Sequence, residues 1–279
     1  MHARTTDPMM PSDGSVLREV RRWRDGHLLL EQDCIAEEVP VALVYNGAPH
    51  VVMMATPRDL EELALGFSLS EAVIDRVDEL EVLGRHALLE GIELRLRIPP
   101  ARAAALAQRR RNLSGRSGCG LCGVEALEDA LRQPAPVAGG PRIDGATLQR
   151  ALAALACAQP LNAATGATHA AAWAGADGTL ALLREDVGRH NALDKLVGAL
   201  ALAGLDTQAG FLVVTSRASS EMVQKAATAR ITLLAAISAP TALAIQLAGS
   251  SGLTLVGFAR PGSHVVYAHA WRIADEARA

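Results

Sequence analysis

The feature that most constrains this chain is the alternation running through its C-terminal half, where short apolar runs take turns with stretches of helical length. The pattern reads as helix over Val187 to Ala203, strand over Phe211 to Thr215, helix over Ser219 to Arg230, strand over Ile231 to Ile237, helix over Thr241 to Ala248 and strand over Leu253 to Phe258. Continuous apolar strands separated by helices predict an α/β fold with a largely parallel sheet covered on both faces. Before this block come a helix over Ala146 to Ala156, a strand over His169 to Ala174, an Asp177-Gly178 turn and a strand over Leu180 to Leu183. Pro240 suits the first residue of the helix that follows it.

The first third reads differently. Val16 to Trp23 and Val39 to Tyr45 look like strands, and Asn46-Gly47 is a two-residue hairpin signal leading into Val51 to Ala55. Thr56 as cap, Pro57 at the first helical position and Asp59 three residues after the cap predict a helix whose apolar stripe is Leu60, Leu63, Ala64 and Phe67. Strict alternation from Ile92 to Ile98, stopped by Pro99-Pro100, specifies a strand with one buried face. A helix over Ala101 to Arg111 ends in three arginines, which reads as a solvated helix end. Asn112 to Gly123 is too rich in glycine and serine for a regular element, and Glu125 to Leu131 resumes a helical pattern. The resulting organisation is a tail over 1–15, a strand-rich part over 16–133, a proline- and glycine-rich linker over 134–142 and an α/β core over 143–279.

Composition supports this and narrows the function. Half of the 279 residues are hydrophobic and 20% are charged, enough for a sizeable core. Lys and Arg total 27 against 30 Asp and Glu, a net charge of −3, so there is no overall electrostatic case for nucleic acid or an anionic membrane. No segment reaches the roughly 18 consecutive apolar residues of a membrane span, and the first 15 residues lack the apolar stretch of a signal peptide. A cytoplasmic location is the default expectation.

Four cysteines in a chain this long are no disulfide scaffold, and Cys119 and Cys122 form the one close pair. In a reducing compartment such a pair reads as a dithiol redox site, as half of a zinc site, or as a nucleophilic thiol with a helper. The bland alternative is two small apolar side chains in a core. Gly118, Gly120 and Gly123 argue against it, because they clear bulk from around the sulfur. A helix beginning near Val124, together with Arg116, favours the thiolate. Zinc needs about four ligands, usually as two pairs. Cys34, Cys157, His169 and His190 have no second-pair spacing, so no metal site is expected. A thioredoxin-like site is weaker still, since an arginine-rich helix precedes the pair.

A second cluster spans Arg184 to Lys195, at a strand end and helix start. Its bland reading is a polar helix start capped by Asp186. Against that, Gly188, Arg189, His190 and Asn191 fall in the first turns, where free N–H groups and a cation hold phosphates. Thr215 to Glu221, with Ser216 and Arg217, repeats the design, and Phe258, Ala259, Arg260, Pro261, Gly262 and Ser263 form a third polar turn. His169 ranks below Arg189 and His190, because a lone histidine on an apolar strand is more often a core residue. Three anion-friendly turns suit a large phosphate-bearing ligand. No Walker pattern occurs, which argues against an ordinary nucleoside triphosphatase, and the one Gly-x-Gly-x-x-Gly run, Gly118 to Gly123, follows an arginine-rich helix rather than a strand, which argues against a nicotinamide dehydrogenase.

Ser117 to Gly123, Thr165 to Ala171, Arg184 to Lys195, Ser216 to Ala226, Ser238 to Thr241 and Leu255 to Phe258, in this order, resemble the formate dehydrogenase accessory sulfurtransferases of the FdhD family. Ala64 to Phe67 also resembles that family, less distinctively, and Ala167 departs from it where a second glycine is expected. The resemblance implies a sulfur carrier that takes sulfur from a cysteine desulfurase as a persulfide and passes it to the molybdenum cofactor, in its bis(molybdopterin guanine dinucleotide) form, for formate dehydrogenase. It places the persulfide on Cys119, with Cys122 as neighbour, and cofactor binding on Phe258 to Ser263. The molybdenum cofactor or a guanine nucleotide is then the bound acceptor and no permanent metal is implied. A three-layer α/β/α core related to cytidine deaminase follows, and a homodimer is admitted. Two rivals stand beside it. A zinc hydrolase of the deaminase type lacks its His-x-Glu and its Pro before the cysteine pair, where Gly118 stands. A cofactor-binding chaperone needs no thiol chemistry.

Overall fold

The structure is a computed structural model that describes residues 13–114 and 133–274; Cys119, Cys122 and the helix expected over 125–131 lie outside the described residues. Alternate residues along the central strands set the layering. Leu212 and Val214 of β10 (Gly210–Val214) join one apolar core, whereas Phe211 and Val213 join the other. Both faces of this sheet are therefore covered, as period-two strands buried on each side require.

The central sheet has six strands in the order β13-β12-β11-β10-β8-β9. They are β8 (His169–Gly175), β9 (Leu180–Asp186), β10, β11 (Leu233–Ala236), β12 (Thr254–Arg260) and β13 (Ser263–Ala268). One face carries α5 (Arg189–Leu202), α6 (Ser220–Thr228) and α7 (Ala242–Ser251), and the other carries α3 (Gly145–Cys157). Three layers result, an α/β architecture as predicted. The sheet is mixed rather than largely parallel. Only β10, β11 and β12 run parallel, because helices join them, while short turns at Asp177-Gly178 and Pro261-Gly262 force β8 with β9 and β12 with β13 to pair antiparallel. A short helix, α4 (Pro160–Thr165), and a parallel pair, β7 (Ile143–Asp144) with β14 (Ile273–Ala274), complete this half.

The first third builds a four-stranded sheet in the order β4-β3-β6-β5, from β3 (Val39–Tyr45), β4 (Ala48–Ala55), β5 (Glu81–Leu88) and β6 (Gly91–Arg97). Asn46 and Gly47, both at positive φ, make the predicted hairpin turn. Val41, Leu43, Leu94 and Leu96 bury one face against α1 (Leu60–Ser70), with Leu106 of α2 (Pro100–Ser114) closing that core. A separate two-stranded ribbon joins β1 (Ser15–Arg24) to β2 (His27–Ala36).

The capping expectation at Thr56 fails. Asp59 is the N-cap of α1, in a left-handed conformation with no side-chain cap bond. Thr56 is fully buried and used elsewhere: its N–H donates to Asp186 Oδ2 at 3.0 Å, and its hydroxyl accepts from the Val187 N–H at 3.2 Å. The Pro240 expectation shifts likewise. Thr241 caps α7, accepting from the Ala244 N–H at 3.2 Å, and Pro240 lies alongside Ala218 in a bridge between two turns. The two halves meet where α1 crosses α5 with backbones touching: a Cβ on Gly66 would lie 1.7 Å from the Asp194 carbonyl oxygen, and one on Gly198 2.0 Å from that of Glu62. Only glycine admits that approach.

Candidate functional site

Three helix-joined strands must all end at the same edge of the sheet, and their following turns stack side by side there. Hydrogen bonds lock these turns together. The Thr215 N–H donates to Ala170 O at 3.0 Å, the Ile237 N–H to Val214 O at 3.0 Å, the Thr241 N–H to Ala218 O at 3.0 Å and the Phe258 N–H to Ser238 O at 3.1 Å. His169, at the start of β8, pairs in register with Asp186, at the end of β9. The edge thus gathers residues 169, 186–191, 215–219, 237–241 and 258–260.

Of the residues singled out from sequence, Arg189 opens α5, and its buried Nε has no hydrogen-bond partner among the described residues. A buried guanidinium nitrogen left unpaired is costly, and an anionic ligand would satisfy it. Arg217 and Arg260 are exposed at the ends of β10 and β12, with Arg260 5.5 Å from the Phe258 ring and the buried Ser216 hydroxyl donating to Arg217 O at 3.0 Å. Phe258 holds positive φ at a bulge that lets β12 turn outward into its hairpin. Ala259 is fully buried on the α3 side, so it presents no side chain to the edge. Pro261, Gly262 and Ser263 are exposed at the hairpin tip, where the Gly262 N–H already donates to Gln149 Oε1 at 2.9 Å.

Asn191 and His190 turn elsewhere. Asn191 Nδ2 donates to Met54 O at 2.7 Å and to Asp186 Oδ1 at 3.0 Å, so its amide braces the turn from within. His190 Nε2 lies 2.8 Å from Glu221 Oε2, close but off line for a hydrogen bond. It lines a cavity of about 350 Å³ between α1, α5 and α6, bounded also by Phe67, Glu71 and Lys225. Burial holds His190 below its ordinary pKa, with Glu221 opposing; burial and then Arg189 do the same to His169. Both rings are therefore mainly neutral at neutral pH, and positive charge at the edge comes from the arginines.

Sequence reasoning missed the support under the site. Lys195 Nζ and Asp186 Oδ2 are 2.6 Å apart, both side chains are fully buried, and Lys195 also donates to Thr56 O at 3.0 Å. Asp186 Oδ1 accepts from the Gly188 N–H at 2.7 Å, so the carboxylate clamps the turn that leads into α5, whose N-cap is Gly188 rather than Asp186. Burial pushes Lys195 below its ordinary pKa, against Asp186. Lys225 forms a second buried node, at 3.0 Å from Asp194 and 2.7 Å from Glu71; burial opposes its charge, but these carboxylates hold it above the ordinary lysine value. In the sequence these residues look like one more polar helix start, because Thr56 and Glu71, which complete the two nodes, lie more than a hundred residues away. Among the described residues no group of three or more His, Cys, Asp or Glu is placed to hold a metal ion, and Cys34 (buried) and Cys157 (exposed) are free thiols.

A three-layer α/β molecule with cationic turns gathered beyond the carboxyl ends of its parallel strands defines the class: an α/β protein with an arginine-bearing sheet edge. The chain belongs to the FdhD/NarQ family, whose family model matches residues 36–274. It is 61% identical over 260 residues to a Sulfur carrier protein FdhD from Xanthomonas euvesicatoria pv. vesicatoria, covering 93% of this chain and 92% of the relative. It is 54% identical over 258 residues to a Sulfur carrier protein FdhD from Cupriavidus necator, covering 92% and 90%. A crystal structure from Desulfotalea psychrophila, described as that of a candidate formate dehydrogenase accessory protein, superposes with a TM-score of 0.73 at 25% identity, over 93% of this chain and 99% of that one. No described helix is long and apolar enough to cross a membrane.

Proposed function

We propose that this protein is a sulfur carrier which accepts sulfur from a cysteine desulfurase as a persulfide on Cys119 and passes it to the molybdenum cofactor used by formate dehydrogenase. The observation that carries this reading is the identity of 61% to a relative named as a sulfur carrier, over nearly the whole of both chains. In the loading step the Cys119 thiolate attacks the outer sulfur of the donor's persulfide, the donor's S–S bond breaks, and the donor cysteine leaves as thiolate. Cys122 stands three residues on as a neighbouring thiol.

The acceptor is a substrate here, and its dinucleotide arms carry phosphates. Arg189, whose buried Nε is unpaired among the described residues, and the exposed Arg217 and Arg260 supply donors of the right sign at one edge. Sulfur labelling tests the proposal. Incubation with a cysteine desulfurase and labelled cysteine loads the wild-type chain, and a Cys119→Ala chain that loads equally well overturns it.

A further inference from the structure

We propose that Gln149 of α3 is a positioning residue for the sheet edge: its amide fixes the turn between β12 and β13 and so sets where Arg260 stands toward a bound phosphate. This role rests on the reading of that edge as the place where the acceptor's phosphates bind. Gln149 Nε2 donates to Arg260 O at 3.1 Å, and Gln149 Oε1 accepts from the Gly262 N–H at 2.9 Å. Only one orientation of the amide makes both bonds, because a carbonyl can only accept and a backbone N–H can only donate. A single side chain on the helix covering one face of the sheet thus grips both ends of a turn that lies more than a hundred residues further along the chain.

The turn is of a kind that gains from an outside brace. Arg260 and Ser263 face each other across the ladder and leave Pro261 and Gly262 between them. The proline ring fixes its own φ at about −65°, and Gly262 stands at φ 76°, the dihedral pattern of a type II turn. Two-residue hairpins favour the mirror-image types, whose twist matches that of the strands, whereas a type II turn splays them. The ladder is irregular here as well, with a register shift between Gly257 and Arg260 and Phe258 at φ 48°. The one hydrogen bond inside such a turn joins its first and fourth residues, so the Gly262 N–H has no partner within it. Gln149 supplies that partner.

The brace is itself firmly held. Asp144 caps α3, accepting from the Thr147 N–H at 2.7 Å, and Arg150, next to Gln149, donates to Asp177 O at 2.9 Å. Leu148, Ala151 and Leu152 are buried in the same core as Ala259, so the helix and the end of β12 are packed together just before the turn. Beyond Ala259 the chain carries Arg260 outward, where its Nε reaches Ile237 O at 3.4 Å and its guanidinium lies 5.5 Å from the Phe258 ring. An arginine held over the neighbouring strand end loses less freedom on meeting an anion than one on a loose turn. Without Gln149, Arg260 must be ordered by the ligand.

The test is calorimetric titration with guanosine diphosphate of the wild-type chain, Gln149→Ala, Gln149→Met, Arg260→Ala and the double variant Gln149→Ala/Arg260→Ala. The expected result is a loss of affinity of roughly three- to tenfold in Gln149→Ala. Gln149→Met, which keeps the length and bulk of the side chain but neither hydrogen bond, should lose as much. Arg260→Ala should lose at least as much again as Gln149→Ala does, and the double variant should bind no more weakly than Arg260→Ala, an equality that a merely structural residue would not give. Thermal midpoints confirm that each variant is folded. Wild-type affinity in Gln149→Ala or in Gln149→Met overturns the role of Gln149 alone, as does a double variant in which the two losses multiply. A wild-type chain that binds no guanosine diphosphate, or an Arg260→Ala chain that binds it as tightly as wild type, overturns the reading of the edge and the role of Gln149 with it.

Discussion

Lys195 and Asp186 form a fully buried ion pair, 2.6 Å apart, that ties α5 to the end of β9 and, through Thr56, to the loop before α1. Breaking one side of such a pair leaves an uncompensated charge in the interior, which costs about 3–5 kcal/mol. Asp186→Ala and Lys195→Ala are each expected to lower unfolding free energy by about that amount in urea titrations, with the paired replacement Asp186→Ala/Lys195→Met costing less than the two added together. Single variants within about 1 kcal/mol of wild type would show that the pair does not hold the halves together.

The contact between α1 and α5 gives a second expectation. Gly66 and Gly198 each face a carbonyl oxygen at a distance no Cβ tolerates. Gly66→Ala and Gly198→Ala should destabilise by about 1–3 kcal/mol each, through forced separation of the helices. The temperature midpoint checks this, and an unchanged midpoint in either variant argues against the close crossing.

How much of this was legible beforehand depended on where each residue's partner lies. The Asn46-Gly47 turn and the alternation over Ile92–Ile98 were readable because the instruction is local. Thr56 was misread for the opposite reason: its sequence neighbours suit a helix cap, but Asp186, 130 positions away, takes its N–H. Strand β5 carries one partly buried face on an edge strand, so Glu81 to Leu88 shows no clear period. Strand β13 was hidden by reading Phe258 to Ser263 as a turn, whereas β12 continues through a bulge at Phe258 to Arg260 and the chain reverses over two residues. At the sheet edge, Arg189, Arg217 and Arg260 were legible from the turns that hold them. The inward use of Asn191 was not, since the Met54 carbonyl it meets belongs to the other half.

Acidity should weaken the fold through two half-buried histidines, His169 at the sheet edge and His190 in the cavity between α1, α5 and α6. Burial sets the pKa of both His169 and His190 below the ordinary value of about 6.5. The unfolded chain therefore takes up protons on these rings first as pH falls, so the stability they contribute is complete above about 6.5 and is lost as pH drops through the folded values. Urea midpoints measured between pH of about 7.5 and about 5.5 should fall on acidification, and fall less in the double variant His169→Gln/His190→Gln. A wild-type midpoint that rises over this interval contradicts the assignment.

Arg189 should dominate anion binding at the edge. A hydrogen bond to a charged group contributes about 1.5–3 kcal/mol, so Arg189→Ala should weaken a guanine nucleotide by roughly ten- to a hundredfold. Calorimetric titration with a guanosine diphosphate reads this directly, and equal affinity in variant and wild type removes Arg189 from the site.

The central claim concerns Cys119, and labelled-sulfur transfer tests it most directly, with wild type, Cys119→Ala and Cys122→Ala compared side by side for sulfur bound and for formate dehydrogenase activity restored. The account predicts that Cys119→Ala binds no labelled sulfur and restores no activity. A Cys119→Ala chain that carries the label and matures the dehydrogenase in full would contradict it.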